Sequence, residues 1–456
     1  MQALCDLEVN LRLTVPEINM AIDAGFATEI DIFSRKEFGE RLSNLVVNSN
    51  ENLVLALDSK WGEGKSTFIK MWCSENQHKR QEPIKTIYFD AFENDYQKDP
   101  FLALASEIYE LLEDNDSSEA KRTEFKEKAT KVFKAFGRGL IKTGVKLGTA
   151  GLIDGSDLDK AEQDISNLVS EQIDSVIASK FESSKEDKLA LASFKSFISD
   201  IAINHTAGNR IVFVIDELDR CRPDFALELL EKIKHLFSVS GITFLLVMNR
   251  EQLEESVKSR YGIGIDAATY LQKFINVWLA LPRANHNQYN DLGEIFAKNC
   301  LAQMTTEKDI HNKEAFSTLL SLIKHKNPSF RDIERMLTYF AIIENVRNDK
   351  MMEYYQSMMG LVCYLKVMSP RLLTAIQHKR VGHIEILTEL NIEPNTPLDD
   401  YSLEIFALEI EFDLSSDERR KEMIDQNIIG HFRFGRCPEN VIGYFCELLN
   451  NMQPVR

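Results

Sequence analysis

The chain lacks any apolar run approaching the ~18 residues needed to span a bilayer, and it has no basic start followed by an apolar stretch. No transmembrane or secretory segment is expected. Its seven cysteines (Cys5, Cys73, Cys221, Cys300, Cys363, Cys437 and Cys446) form no C-x-x-C pair and no regular framework. Buried, reduced thiols and a cytoplasmic setting are the expectation. The nine histidines show no metal-ligand spacing. Basic charge is in deficit, with 54 Lys and Arg against 71 Asp and Glu for a net −17. That balance argues against a surface adapted throughout to nucleic acid or anionic lipid. Eleven prolines and 20 glycines are too few for wholesale disorder, and no internal repeat or low-complexity tract is present.

What the chain does have is length and a pattern of short apolar runs. At 456 residues it exceeds one ordinary core, so two to four domains are expected. Five runs, Asn52–Asp58, Thr86–Asp90, Arg210–Asp216, Ile242–Asn249 and Val277–Pro282, are rich in Val, Ile, Leu and Phe without clean alternation. Such runs predict strands buried on both faces, in an α/β fold with a parallel sheet flanked by helices. The stretch from about 115 to 209 has helical, charge-rich patterning and reads as an insertion. From about 284 onward the pattern is helical almost throughout, as in Phe330–Ile343, Met351–Tyr364 and Ile384–Leu390.

The first run leads directly into Ser59-Lys60-Trp61-Gly62-Glu63-Gly64-Lys65-Ser66-Thr67, followed by the helical Phe68-Ile69-Lys70-Met71-Trp72. A strand, a glycine loop and a helix, in that order, form a phosphate cradle. Backbone N–H groups converge on the anion and the helix N-terminus adds its positive dipole. Residues 59–67 are therefore the candidate ATP-binding loop. Lys65 would reach the β and γ phosphates and the Ser66 hydroxyl would ligate Mg²⁺. The G-x-x-x-x-G-K-[ST] pattern places glycine where Ser59 stands, so a small distortion of the turn is expected there.

The third run ends Val214-Ile215-Asp216-Glu217-Leu218-Asp219-Arg220. An apolar strand ending in adjacent acids puts Asp216 at the carboxyl edge of the sheet, where ligands bind in open α/β folds. Asp216 would hold Mg²⁺ and Glu217 would orient and deprotonate the attacking water. Asn249, at the tip of the fourth run, is a candidate to help hold that water. Arg220, Arg250 and Arg331 compete to neutralise charge near the γ phosphate.

Several segments resemble the KAP family of P-loop NTPases: Trp61-Gly62-x-Gly64-Lys65-Ser66, Tyr88-Phe89-Asp90-Ala91-Phe92-Glu93-Asn94-Asp95, Asp216-Glu217-Leu218-Asp219-Arg220-Cys221, and Tyr270-Leu271-Gln272-Lys273-Phe274-Ile275. Asp31–Phe38 is similar to that family's leading segment, and Asn327–Arg335 to its segment in a helical lid. The resemblance implies the ASCE arrangement, with a strand between those of the two nucleotide motifs, and a lid carrying a sensor arginine for which Arg331 is the best match. The resemblance covers about residues 30–345 and implies a P-loop NTPase core at 30–114 and 210–283, split by the helical insertion at 115–209, and a lid at 284–345; outside it lie an N-terminal segment 1–29 and, from the helical patterning, a C-terminal helical domain at 346–456. Where the family carries D-D-L-D-R this chain has Glu217 as the second acid, so hydrolysis is expected to be intact. The resemblance also implies nucleotide-driven conformational switching and, for bacterial members, antiphage defence.

Within the insertion, Lys131, Lys134, Arg138, Lys142 and Lys146 recur at helical spacing. That face could meet nucleic acid or rest peripherally on an anionic membrane, or be the solvated side of a helix packed on the core. Gly144 and Gly148 have the spacing for close helix contact. The acids of 399–425, among them Glu404, Glu409, Glu411, Asp413, Asp417 and Glu418, read as a solvated helical surface, with a dock for a basic partner as the alternative. Three functions compete on these grounds: an ATPase coupling turnover to conformational change or assembly, a slow nucleotide-gated scaffold recruiting an effector, and a nucleic-acid-stimulated ATPase. A homo-oligomer is compatible with each.

Overall fold

Each of the five apolar runs forms a strand: β1 Val54–Asp58, β2 Lys85–Asp90, β3 Ile211–Asp216, β4 Ile242–Met248 and β5 Val277–Ala280. The structure, a computed structural model, describes residues 11–16, 24–49, 52–80, 84–97, 99–114, 119–137, 173–205, 211–282, 292–305, 313–346, 351, 353–392, 401–429 and 440–451. The strands pair in parallel in the order β2-β3-β4-β1-β5. β4 thus separates the strand that feeds the glycine loop from the strand that ends in the acidic pair.

Successive side chains of a strand point to opposite faces, and both faces of this sheet are covered. Leu55, Leu57, Val212, Val214, Leu245 and Val247 pack against helices α1 (Lys36–Asn48) and α2 (Lys65–Ser74). Ile211, Phe213, Ile215, Phe244 and Leu246 face the other way, into a larger core. That two-sided burial explains why the central runs of β1, β3 and β4 read as continuous apolar segments; β5, expected to be buried on both faces, is an edge strand that is only half-buried, with Ala280 exposed. The larger core is built with helices α3 (Pro100–Asp114), α4 (Glu119–Gly137), α5 (Ile173–His205), α6 (Pro223–Lys232), α7 (Arg250–Tyr261) and the short α8 (Ala267–Leu271).

The described part of the insertion is helical. Phe125 of α4 and Phe194 of α5 join Phe101 and Phe237 in ring contacts of 5.5–6.0 Å. Such pairs each add about 0.5–1.5 kcal/mol beyond their area burial, so these two helices belong to the core over the sheet. On α4, Val132 and Phe133 are buried while Lys131 is exposed, which fits a solvated face on a packed helix. Arg138, Lys142, Lys146, Gly144 and Gly148 lie outside the described residues.

The remaining helices are α9 (Leu292–Met304), α10 (Glu314–Lys326), α11 (Phe330–Val346), α12 (Glu353–Met368), α13 (Pro370–Gln377), α14 (His383–Leu390), α15 (Tyr401–Leu414), α16 (Asp417–Asp425) and α17 (Val441–Asn451). They share one hydrophobic core that includes Phe316, Leu337, Phe340, Met358, Leu361 and Phe445. Leu11 inserts into the same core, and its backbone exchanges hydrogen bonds with the Asn345 side chain at 2.9 and 2.7 Å.

Two acids of the 399–425 stretch depart from the solvated surface expected of them. Glu409 is 2% exposed and Asp413 is 1% exposed. Asp413 accepts from the Tyr354 hydroxyl at 2.6 Å and from the Val441 and Ile442 N–H groups at 2.7 and 3.0 Å. The carboxylate therefore satisfies the otherwise unpaired donors at the start of α17, which is what makes its burial tolerable. Glu411 does stay near the surface, paired with Arg419 at 2.9 Å, while the Glu404 side chain lies outside the described residues. Cys73, Cys221, Cys300, Cys363 and Cys446 are buried free thiols. Among the described residues no helix is long and apolar enough to cross a membrane and no His, Cys, Asp or Glu cluster has the form of a metal site.

Candidate functional site

The carboxyl edge of the sheet brings the chemistry together. Strand register aligns Asp58 with Met248, and Asp216 with both Asp90 and Val247, so the glycine loop, the acidic pair and Asn249 all leave the sheet on one edge. Gly62 and Gly64 take φ of 78° and 77°, a left-handed backbone that only glycine adopts without strain. Between them the loop turns back on itself so that α2 starts at Lys65, immediately after Gly64. Ser59, where the motif places glycine, stays out of the left-handed region, and its N–H donates to Met248 O at 3.3 Å. Serine is therefore accommodated there without backbone strain.

Lys65 is 9% exposed, and its ammonium donates to Ser59 O at 2.5 Å and Lys60 O at 3.0 Å. The loop carbonyls hold it within the cradle. Burial lowers its pKa, opposed by the charges of Asp219, Asp216, Glu63 and Asp58. The Lys60 N–H donates to Glu63 Oε2 at 3.1 Å. Beside the loop lies a cavity of about 420 Å³ whose lining includes Asp58, Ser59, Lys60, Glu63, Asn249 and Pro282.

Asp216 is 1% exposed and accepts from the Tyr88 hydroxyl at 3.0 Å and the Glu217 N–H at 2.8 Å. Burial pushes its carboxyl upward; hydrogen bonds from Ser66, Tyr88 and Glu217 N–H oppose that, and the charge of Asp90 adds to it. Ser66 and Asp216, proposed from sequence as the Mg²⁺ pair, thus lie close enough across β4 for the Ser66 hydroxyl to act on the Asp216 carboxyl. A hydroxyl and a carboxylate facing each other beside a helix N-terminus are hard oxygen donors, a set that fits Mg²⁺.

Glu217 takes a left-handed φ of 58° and opens the one-turn helix Leu218–Arg220. Its carboxylate is held by Arg220 at 2.8 Å. Burial raises the Glu217 pKa and Arg220 is the main influence opposing it. Asn249 is 6% exposed and caps α7 by accepting from Glu251 N–H at 3.0 Å.

The three competing arginines fall in different places. Arg220 is on Glu217. Arg250 pairs with Glu254 at 2.7 Å and lies 4.8 Å over the Trp278 ring. Arg331 is in the first turn of α11, beside the loop: a Cβ added at Gly62 would sit 3.1 Å from Arg331 Cβ and 3.0 Å from Ser329 Oγ. The Phe330 N–H donates to Gly62 O at 3.0 Å. Residues 329–331 therefore rest directly on the loop.

Sequence reasoning did not single out Arg35 as a site residue. Its guanidinium is 5% exposed, donates to Glu63 O at 3.2 Å and Pro282 O at 3.3 Å, and lies 4.7 Å over Phe33. Phe33 in turn stacks on Phe330 at 4.7 Å. Burial lowers the Arg35 pKa to about 10. The available signal was its place in the segment 31–38, which resembles the family's leading segment.

A parallel sheet with this strand order, a left-handed glycine loop opening a helix, and a buried acid facing the loop serine define a P-loop NTPase of the added-strand class. The sequence model of the KAP family P-loop domain matches residues 35–347. The chain belongs to the KAP family and is a nucleotide-binding NTPase. No curated protein matches it. Among solved structures, that titled Structure of the Aeropyrum Pernix ORC2 protein (ADPNP-ADP complexes) is similar at 13% identity with a TM-score of 0.36, covering 92% of this chain and 86% of that one.

Proposed function

We propose that the chain binds and hydrolyses ATP with Mg²⁺ and couples turnover to movement of its helical lid on the loop. The observation that carries this reading is the meeting, at one sheet edge, of Lys65 and Ser66 with Asp216, under a lid segment seated on Gly62. Residues 59–67 would cradle the phosphates, and Ser66 and Asp216 would hold the metal ion. Bound Mg²⁺ supplies neutralisation of phosphate charge. Glu217 is the proposed base for the attacking water, Asn249 a group to orient it, and Arg331 the lid arginine that senses the γ phosphate. Arg220 acts on Glu217, because a paired carboxylate must be released before it can accept a proton.

The division into core, insertion, lid and C-terminal helices gives this coupling its parts. Antiphage defence in a bacterial cytoplasm, through a homo-oligomer or a protein partner, is the setting that the family resemblance favours. The test is Mg²⁺-dependent release of phosphate from ATP by the full chain. Lys65→Ala should abolish it, and retained turnover by Lys65→Ala would remove the loop from its role.

A second reading, a slow nucleotide-gated scaffold, is favoured by the Arg220–Glu217 pair, which occupies the proposed base. A single-turnover rate separates the two. A scaffold hydrolyses bound ATP over many minutes, whereas a coupled ATPase turns over in seconds.

A further inference from the structure

Resting on the nucleotide reading of the loop, we propose that Asp219 is a positioning residue: through the Trp61 indole it clamps the loop 59–65 to the acidic strand end, in the shape that receives phosphates. Trp61 donates from Nε1 to Asp219 Oδ2 at 2.5 Å, joining positions 158 residues apart. The bond is unusual in where it lies. The indole is 42% exposed, at the rim of the site, while Asp219 is only 7% exposed. Burial alone does not fix the orientation of a ring left that open, and the charge-assisted bond to a buried carboxylate does.

The local chain explains how Asp219 arrives there. The left-handed turn at Glu217 starts the one-turn helix Leu218–Arg220; Asp219 then meets the loop while Arg220 folds back on Glu217. Trp61 immediately precedes Gly62, and Glu63 immediately follows it. The first is held by Asp219 and the second, through its carbonyl, by Arg35 at 3.2 Å. A loop with two left-handed glycines has little conformational preference of its own, so restraints on either side of Gly62 set its shape.

The test compares Trp61→Phe, which keeps a ring and removes the donor, with Asp219→Ala, Asp219→Asn and the double variant Trp61→Phe/Asp219→Ala. Losing a hydrogen bond to a charged group leaves a smaller fraction of loops competent, so the KM for ATP should rise about tenfold in Trp61→Phe and Asp219→Ala. The kcat should stay within about twofold, because neither group is placed on the reacting atoms. The double variant should be no worse than Asp219→Ala, and Asp219→Asn, which keeps an acceptor, should fall between it and wild type. Hydrogen exchange of residues 59–65, measured without nucleotide, should quicken in both single variants. Unchanged KM with unchanged loop protection, or effects that add in the double variant, would overturn the clamp. A wild-type chain that turns over no ATP would instead defeat the nucleotide reading, and the exchange measurement would then decide the clamp alone. If Asp219→Ala does not fold, Trp61→Phe decides it.

Discussion

Gly62 and Gly64 are both left-handed, yet an added methyl group meets different surroundings at each, and the difference measures how firmly residues 329–331, the proposed lid segment, rest on the loop. At Gly64 the nearest atoms to an added Cβ are Arg35 Nη1 at 3.4 Å and Phe330 Cδ2 at 4.0 Å, which is ordinary contact. Gly64→Ala should therefore cost only the left-handed backbone, about 1–2 kcal/mol. At 2–4 °C per kcal/mol, its melting midpoint should fall by roughly 2–8 °C. At Gly62 the added Cβ would meet Ser329 Oγ at 3.0 Å, Arg331 Cβ at 3.1 Å and Ser329 Cβ at 3.2 Å. Gly62→Ala should carry the same backbone cost and also push the lid segment outward. That weakens the bond from Phe330 N–H to Gly62 O, worth about 1 kcal/mol net. Its midpoint should accordingly lie a further ~2–4 °C lower. Ser329→Gly removes two of the three close atoms, leaving Arg331 Cβ at 3.1 Å, and weakens the cap of α11, where Ser329 Oγ accepts from Asp332 N–H, by only a few tenths of a kcal/mol. It should therefore partly rescue Gly62→Ala and leave Gly64→Ala unimproved, as read by differential scanning fluorimetry. Equal midpoints for the two alanine variants, or rescue of both by Ser329→Gly, would refute the lid contact.

Burial raises the Asp216 carboxyl above its ordinary value, so its contribution to stability is present at low pH and lost as pH rises through the raised value. At neutral pH it costs stability: Asp216→Asn should melt higher than wild type at pH 7, converge with it below the ordinary carboxylate range, and lose Mg²⁺-dependent turnover. No gain in midpoint at pH 7 would contradict the sign. Arg220 opposes the upward push on Glu217, so Arg220→Ala should move the acidic limb of the kcat–pH profile to higher pH, and an unmoved limb would exclude Glu217 as the titrating base. Asp413→Ala leaves the Tyr354 hydroxyl and two N–H groups of α17 without their acceptor, so the chain should be destabilised by about 3 kcal/mol, measured in urea; a loss under ~1 kcal/mol would refute the capping role.

The sheet was legible because two-sided burial forces continuous apolar runs, and each predicted run contains an observed strand apart from a one-residue shift at Lys85. The strand inserted between those of the two nucleotide motifs followed from the resemblance, whereas the full order β2-β3-β4-β1-β5 is legible in no single run. The loop was legible for a similar reason, since a phosphate cradle needs glycine, lysine and serine within a few residues. What sequence could not display are contacts between distant positions. Arg220 reads as a candidate for the γ phosphate until its position three residues after a left-handed Glu217 brings it onto that carboxylate. The residues alone left Arg331 level with Arg250, and only the family resemblance favoured it; its contact with the loop became visible when α11 placed its first turn on Gly62. Asp413 looked like one more surface acid because the N–H groups that satisfy it come from a helix that starts 28 residues later.

The central claim is that Lys65 and Ser66, beside Asp216 and with Glu217 following it at the same sheet edge, form a site that binds ATP and then hydrolyses it. The direct measurement is ATP binding and single-turnover hydrolysis on the same Glu217→Gln preparation with Mg²⁺ present. Binding at wild-type affinity with turnover reduced by about a hundredfold or more is the predicted result. Hydrolysis at the wild-type rate by Glu217→Gln would contradict it, as would the absence of ATP binding by the wild-type chain.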